Sequence, residues 1–238
     1  MYLRAASAIL MGLMPLLGME SADHAQQTDP YAVIRDLDAA NISRHNNLLE
    51  YSNIEHYAVY RGKDQTQPTA EMTVRVTYKK GVGKNYSILK QSGSGVILKY
   101  GLHPLLENEK AINDPSRVAQ SWFNTTNYDM RLKPGVTRVI DGHTCLAVAI
   151  SPRHKAPNLV EGVLWVDAHD HTLVEVDGVA SKKPSVFAGT TKMTRRYVKM
   201  TGYAMATHAH AESSSFLFGR TAVTIDYSDY QFQVRSQR

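Results

Sequence analysis

The sequence contains one cysteine in 238 residues, and it lacks long runs of like charge, low-complexity segments and a regular glycine repeat. A single thiol excludes an intrachain disulfide, so Cys145, within the apolar residues 144–148, is interpreted as a small buried hydrophobe. The absence of a glycine period and of a sustained heptad excludes a collagen and a coiled coil. With 43% hydrophobic and 21% charged residues, the composition is that of one globular domain.

Signatures of common catalytic sites are also missing. Ser94 has glycines directly beside it, whereas the nucleophile motif G-x-S-x-G places them two residues away. Gly81-x-Gly83 lacks the third glycine of a dinucleotide site, and no H-E-x-x-H zinc motif occurs. The sequence therefore predicts a protein that is not an enzyme, with no catalytic residues and no cofactor.

Two histidine pairs have the spacing H-x-H, namely His169 with His171 and His208 with His210. On a strand this spacing places two imidazoles on one face, which would suit zinc or copper. The first pair falls in a predicted turn, however, and no third ligand is evident for either. Solvated histidines are the simpler interpretation, and no metal site is predicted.

Residues 1–25 have the order of a secretory signal. Arg4 lies in a short basic start, residues 5–18 are uncharged and rich in leucine, methionine and alanine, and a polar segment with small residues follows. The apolar run is too short to span a bilayer comfortably; a buried N-terminal helix is the alternative interpretation. We therefore expect a signal peptide at 1–25, a mature domain at 26–238 and a periplasmic location without a lipid anchor, since no cysteine follows the apolar run.

The positive net charge indicates acidic partners. The formal charge of +5 becomes +6 when residues 1–25 are removed, because that segment carries one cation and two acids. Such a field favours transient contact with an anionic membrane surface. Nucleic acid is not predicted as a partner, because the basic pairs are scattered and export removes the chain from the cytoplasm.

Most of the chain after residue 48 shows the period of two that is typical of antiparallel strands. The alternation is clearest where Met72, Val74 and Val76 alternate with polar residues, which predicts one buried and one solvated face. Asp141-Gly142, between residues 136–140 and 144–150, is the strongest hairpin signal.

Helices are predicted at three places. Asp29-Pro30 starts the first, with Tyr31, Ile34, Leu37 and residues 38–42, up to Ile42, on its apolar face. Pro104 starts the second, over residues 104–112, and Asp114-Pro115 starts the third, over residues 114–123. About ten or eleven strands in one sheet must curl. The predicted fold is therefore α+β and mostly antiparallel β, a strongly curved unclosed barrel with an N-terminal helix and two mid-chain helices over its concave face.

The C-terminal half carries motifs of a known family. Residues 164–167 (LWVD), a turn and residues 173–178 (LVEVDG) resemble a hairpin of the LolA-like superfamily of outer-membrane lipoprotein-sorting proteins. The resemblance continues in the closing strands, at residues 196–199 (RYVK), 202–203 (GY), 218–221 (FGRT) and 223–230 (VTIDYSDY). It covers about residues 130–232. In the turn, Ala168 follows the aspartate where the family usually has proline.

This resemblance implies a LolA-like half-barrel with a hydrophobic cavity that carries lipid acyl chains or lipoproteins through the periplasm during outer-membrane biogenesis, without chemistry or metal. We expect the cavity between the sheet and residues 96–123. The side chains predicted to bind lipid are Tyr57, Val59, Met72, Val74, Val76, Ile88, Leu105, Val118, Trp122 and Trp165. Two alternatives stay open: an envelope protein-interaction or signalling module on the same fold without a cavity, and, with less support, a secreted hydrolase.

Overall fold

The structure is a computed structural model that describes residues 29–62, 66–156, 158–182, 190–215 and 219–235. The predicted signal peptide lies outside the described residues. The strands are β1 (Leu48–Arg61), β2 (Ala70–Lys79), β3 (Gly83–Gly93), β4 (Tyr128–Ile140), β5 (His143–Pro152), β6 (Val160–Asp167), β7 (Leu173–Ala180), β8 (Lys192–Met200), β9 (Tyr203–Ser215) and β10 (Gly219–Val234). The helices are α1 (Pro30–Asn47), α2 (Gly95–Ile97) and α3 (His103–Ile112), with a π-helix (Leu98–Leu102) between α2 and α3 and a 3-10 helix (Val118–Ser121) after them.

The ten strands form one antiparallel sheet in the order β3-β2-β1-β10-β9-β8-β7-β6-β5-β4. Strand β1 pairs with β10, which brings the two ends of the meander together in the middle of the sheet. Strands β3 and β4 are the two edges, and the sheet is not closed between them. The predicted open, curved and mostly antiparallel architecture is therefore confirmed.

Local sequence explains the best-defined hairpin and strand. Asp141 and Gly142 both have positive φ, at 48° and 86°, as a tight type I′ turn requires. In β2, Met72, Val74 and Val76 are fully buried, whereas the residues between them are exposed or half-buried. The predicted alternation of this strand is confirmed.

Helix α1 begins where the sequence predicts, because the Asp29 side chain accepts a hydrogen bond from the Tyr31 backbone N–H and Pro30 occupies the first turn. Its buried residues are Val33 and Leu37, which pack against strands β4 to β7. The predicted apolar face was wrong for Tyr31 and Ile42, which are 81% and 55% exposed, because both lie on the opposite side of the helix from the buried stripe.

A helical segment, residues 95–112, follows edge strand β3; we call it the covering helix. Its second half confirms the predicted helix at 104–112. Pro104 has no N–H to donate to residue 100, and a π-helix directly precedes the turn in which it lies. The predicted helix over 114–123 is wrong: only the 3-10 helix forms, and the buried Asn127 side chain ends it by donating hydrogen bonds to the Ala119 and Trp122 carbonyls.

The helices lie on one face of the sheet, which we call the inner face. One core packs α1 on the β4–β7 half, and a second packs the covering helix on β1, β2, β9 and β10. In the described part of the chain, no helix combines the length and the apolar character needed to cross a membrane.

Candidate functional site

Most of the side chains predicted to bind lipid lie together under the covering helix. Strands β1 and β2 contribute buried residues to one apolar cluster, and α3 contributes one that packs against it. These residues are Tyr57, Val59, Met72, Val74, Val76 and Leu105. Leu102 and Leu106 of the covering helix, 1% and 6% exposed, close the same cluster from above.

The remaining predicted residues are not brought into this cluster. Ile88 is 46% exposed on edge strand β3. Val118 is half-buried in the 3-10 helix, and the ring of Trp122 lies 5.0 Å from that of His45 in α1. Trp165 packs with Cys145, Ile140 and Val174 instead, outside both helix-covered cores.

Cross-strand pairing places an arginine within the apolar inner face. Tyr57 pairs with Ile225, Ile225 with Ala209, and Ala209 with Arg195. Because cross-strand partners point to the same side of a sheet, Arg195 shares the inner face with Tyr57, and its neighbour Arg196 points to the opposite, outer face. The strand pairing therefore places a cation next to the strand residues of this apolar cluster, which we call the apolar wall.

A buried carboxylate lies beside it on the same face. The Tyr57 hydroxyl donates a hydrogen bond to Glu55, with 2.5 Å between the oxygens. The Lys84 ammonium lies 3.8 Å from the other Glu55 oxygen, and the two side chains are only 15% and 3% exposed. Burial disfavours the charged ammonium, but the surrounding acidic groups of Tyr51 and Glu55 outweigh it and raise the pKa of Lys84 well above its usual range.

Arg195 itself has few partners. Its guanidinium lies 4.0 Å from the Glu109 carboxylate of α3 and 6.0 Å from the centre of the Tyr227 ring. Its Nε is buried without a hydrogen-bond partner, and the Tyr86 hydroxyl is in the same state. A buried donor without an acceptor is costly, so these atoms mark a place where an acceptor would be stabilised.

The phenols of this face remain protonated at neutral pH. Burial raises the pKa of Tyr57, of Tyr86 and of Tyr227 above the ordinary tyrosine value. The Tyr57 hydroxyl donates its hydrogen bond to Glu55, whereas the Tyr86 hydroxyl has no hydrogen-bond partner. The polar cluster of Glu55, Lys84, Tyr86, Glu109 and Arg195 thus offers unused donors next to an apolar wall.

The pattern of apolar residues in the sequence did not predict this polar cluster. Glu55 has the same parity as Tyr57 and Val59 in β1, and Lys84 has the same parity as Tyr86 in β3. Extending the period of two to charged residues would have placed both on the inner face. Arg195 gave no such signal, because Arg196 follows it and either one could point inward.

Three open cavities lie at other places on the surface. One of about 380 Å³ is at the ends of β1, β2 and β10, next to Tyr51, Tyr78 and Phe232. Cavities of about 280 Å³ and 190 Å³ flank Asp170, between β7 and β8 and beneath α1. None of the ten residues predicted to bind lipid lines any of these three cavities.

One histidine of each H-x-H pair contacts a carboxylate. His208 lies 2.7 Å from Asp226, and His171 lies 2.8 Å from Asp36, measured between imidazole nitrogen and carboxylate oxygen. Within the described ranges, no group of three or more His, Cys, Asp or Glu is arranged to hold a metal ion.

No protein-family model and no curated protein sequence matches this chain. Several solved structures are similar to it, including these three. A LolA superfamily protein from Nitrosomonas europaea is 10% identical, with a TM-score of 0.46, over 89% of this chain and 96% of its own. A DUF1329 family protein from Desulfovibrio piger is 15% identical, with a TM-score of 0.44, over 88% and 96%. A putative outer-membrane lipoprotein-sorting protein domain from Vibrio parahaemolyticus is 13% identical, with a TM-score of 0.48, over 88% and 94%.

These similar structures include the LolA-like superfamily that the hairpin motifs of the sequence resemble. The identities and TM-scores are low, so the similarity concerns the fold and gives no information on ligand, partner or mechanism for this chain.

Proposed function

We propose that this chain is an exported, non-catalytic carrier that binds the acyl chains of lipids or lipoproteins between the inner face and the covering helix, in the periplasm. The observation that carries the proposal is the polar cluster: unused donors of Arg195 and Tyr86 lie buried beside an apolar wall. An amphipathic ligand supplies both an apolar chain for the wall and an acceptor for the donors.

The apolar half of the proposal depends on movement of the covering helix. Leu102 and Leu106 bury the wall in this structure, so an acyl chain must take their place against β1 and β2. Among the described residues, the polar contacts that join the covering helix to the strands are a 3.0 Å hydrogen bond between His103 and Gln91 and the 4.0 Å pair of Arg195 with Glu109. A helix held mainly by side-chain packing can exchange that packing for a ligand's acyl chain at little net loss of buried apolar area.

The polar half concerns the ligand's head. Arg195 and Lys84 are cations in a poorly hydrated site, where a charge-assisted hydrogen bond to a carboxylate or ester oxygen is stronger than in water. Their carboxylate partners are 3.8 Å and 4.0 Å away, beyond direct hydrogen-bond distance. An acceptor that enters the site can therefore approach more closely than Glu55 or Glu109 does.

Titration with a fluorescent fatty acid and with its methyl ester tests the proposal. Wild-type protein should bind both saturably, and Arg195→Met should weaken fatty-acid binding by about tenfold while affecting the ester less. Lys192→Met removes a cation from the same strand at an exposed position, and it should leave both affinities unchanged. Equal losses in the two variants, or no saturable binding by wild type, would contradict the proposal.

An envelope protein-interaction module on the same fold is a second candidate. The observation that favours it is the burial of the inner face by the covering helix, which leaves the wall closed in this structure. This candidate predicts that wild-type protein takes up no acyl ligand and that chemical cross-linking in intact cells joins it to a specific envelope protein. Saturable uptake of fatty acid would exclude it as the sole function.

A further inference from the structure

The charges of this chain are unevenly distributed along the sequence. Between Glu71 and Glu107 there are 35 residues without a single aspartate or glutamate, and they carry six lysines and arginines. The rest of the chain has 21 basic and 22 acidic residues, so this segment accounts for the whole positive net charge. It comprises most of β2, all of β3 and the first two-thirds of the covering helix.

Large apolar side chains are exposed within the same segment. Ile88 and Leu89 of β3 are 46% and 51% exposed, and Val96 and Tyr100 of the covering helix are 67% and 70% exposed. The 3.0 Å hydrogen bond between His103 and Gln91 joins the helix to this end of β3. The exposed apolar residues therefore lie near the place where the covering helix meets strand β3, at the free edge of the sheet.

Two exposed lysines accompany these apolar residues. Lys90 follows Leu89, and Lys99 lies with its ammonium 5.3 Å from the centre of the Tyr100 ring. Within the described part of the chain, neither has a carboxylate within 4.0 Å. The other lysines of the segment are engaged, for example Lys79 with Glu50 at 3.0 Å. The acidic residues of the covering helix begin only at Glu107, beyond this surface.

We propose that residues 88–90 and 96–100 form a docking surface for an anionic lipid bilayer. Exposed apolar side chains flanked by cations are the combination that holds a protein at a membrane interface, where the apolar groups enter the headgroup region and the cations meet anionic lipids. The absence of acids over 35 residues removes the repulsion that such a surface would otherwise meet. The occupant is the bilayer itself.

The docking surface deepens the proposed function and rests on it for its purpose. It includes the amino-terminal part of the covering helix, the element that must move for an acyl chain to reach the inner face. Docking through Val96 and Tyr100 therefore brings the entrance of the proposed binding site to the membrane from which a ligand would come.

Co-sedimentation with vesicles tests this proposal. The protein is purified after export, so that all variants share one N-terminus, and is mixed with vesicles of phosphatidylcholine alone or with 30% phosphatidylglycerol. It should bind the anionic vesicles, release in high salt, and bind neutral vesicles weakly. Val96→Ser combined with Tyr100→Ser should reduce the partition coefficient about tenfold, because both lose apolar contact with the interface. Lys90→Glu with Lys99→Glu should reduce it by at least as much.

Matched controls lie on the opposite edge of the sheet. Val139→Ser removes a side chain that is 69% exposed on β4, and Lys133→Glu reverses an exposed charge there. Both variants should bind anionic vesicles as wild type does. Equal losses of vesicle binding in the β4 variants, or binding that does not depend on vesicle charge, would overturn the docking proposal.

Failure of the two proposals can be told apart. The vesicle-binding variants change only exposed residues, so each should take up fluorescent fatty acid from detergent-free solution as wild type does if the carrier proposal is right. Vesicle binding without fatty-acid uptake would overturn the carrier and keep the docking surface. Uptake without vesicle binding would overturn the docking surface alone.

Discussion

Glu55→Gln should destabilise the protein strongly, although the substitution adds no bulk and removes no apolar contact. Glu55 and Lys84 are 3% and 15% exposed, and their charged atoms lie 3.8 Å apart. Glutamine keeps an acceptor for the Tyr57 hydroxyl but removes the carboxylate that, among the described residues, lies within 4.0 Å of the buried ammonium. Removing one partner of a buried ion pair costs about 3–5 kcal/mol of unfolding free energy.

A matched control is available in the same strand. Glu50 pairs with Lys79 at 3.0 Å, a shorter distance, but the two side chains are 43% and 65% exposed. Water solvates the lysine when the carboxylate is removed, so Glu50→Gln should cost less than about 1 kcal/mol. Burial, and not the distance between the charges, therefore decides which substitution is harmful.

Urea unfolding at neutral pH measures both effects. Because the pKa of Lys84 is raised, its contribution to stability is fully present below the unfolded lysine value, about 10.4, and is lost only as pH rises through the higher folded value. The loss in Glu55→Gln should therefore be the same at pH 6 and pH 8. Glu55→Gln combined with Lys84→Met, which removes the ammonium and keeps an acceptor for Tyr57, should recover most of the stability. A single-variant loss as small as that of Glu50→Gln, or a double variant no better than the single, would refute this reasoning.

Three further predictions concern the sheet and its ends. Val76→Asp places a carboxylate at a fully buried inner-face position and should lower the free energy of unfolding, measured in urea, by at least about 3 kcal/mol. Thr77→Asp changes an exposed residue of the outer face and should alter it by no more than about 0.5 kcal/mol. Equal effects would mean that the register is wrong. Gly162→Ala would place a Cβ against the backbone of β7 and should lower the free energy of unfolding by about 1–3 kcal/mol. Gly101→Ala in the covering helix meets only ordinary contacts and should not destabilise the protein in the same assay. Burial opposes ionisation of Asp170, but hydrogen bonds from neighbouring lysine and threonine side chains outweigh it and lower its pKa to about 2. Wild type should therefore be more stable than Asp170→Asn by a constant amount above about pH 4, and this difference should disappear toward pH 2. Acid titrations followed by circular dichroism measure it.

Local patterns in the sequence were sufficient for much of the fold. The alternation around Val74 and the Asp141-Gly142 turn depend on neighbours in sequence, and both are found in the structure. The pairing of β1 with β10 joins residues such as Tyr57 and Ile225, which are far apart in the chain. Alternation with a period of two indicates which residues share a face of a strand, but it does not indicate which strands pair.

The site was less accessible to sequence reasoning. Trp165 lies between Leu164 and Val166, so apolar character on both sides hides its face, and a register irregularity after Trp165 adds to the ambiguity. The second of the two predicted mid-chain helices was wrong because the Asn127 side chain, outside the segment that signals the helix, donates hydrogen bonds to the Ala119 and Trp122 carbonyls. Apolar alternation does not predict the charges on the inner face, because Glu55 is buried only together with its partner Lys84.

Native mass spectrometry of the protein, purified under mild conditions from the envelope of cells that express it, tests the carrier proposal most directly. We expect a population heavier than the chain by the mass of a non-covalently held acyl lipid, and we expect Arg195→Met to lose that population while Lys192→Met keeps it. A wild-type protein that shows the mass of the chain alone, and gains none after incubation with fatty acid, would contradict the account.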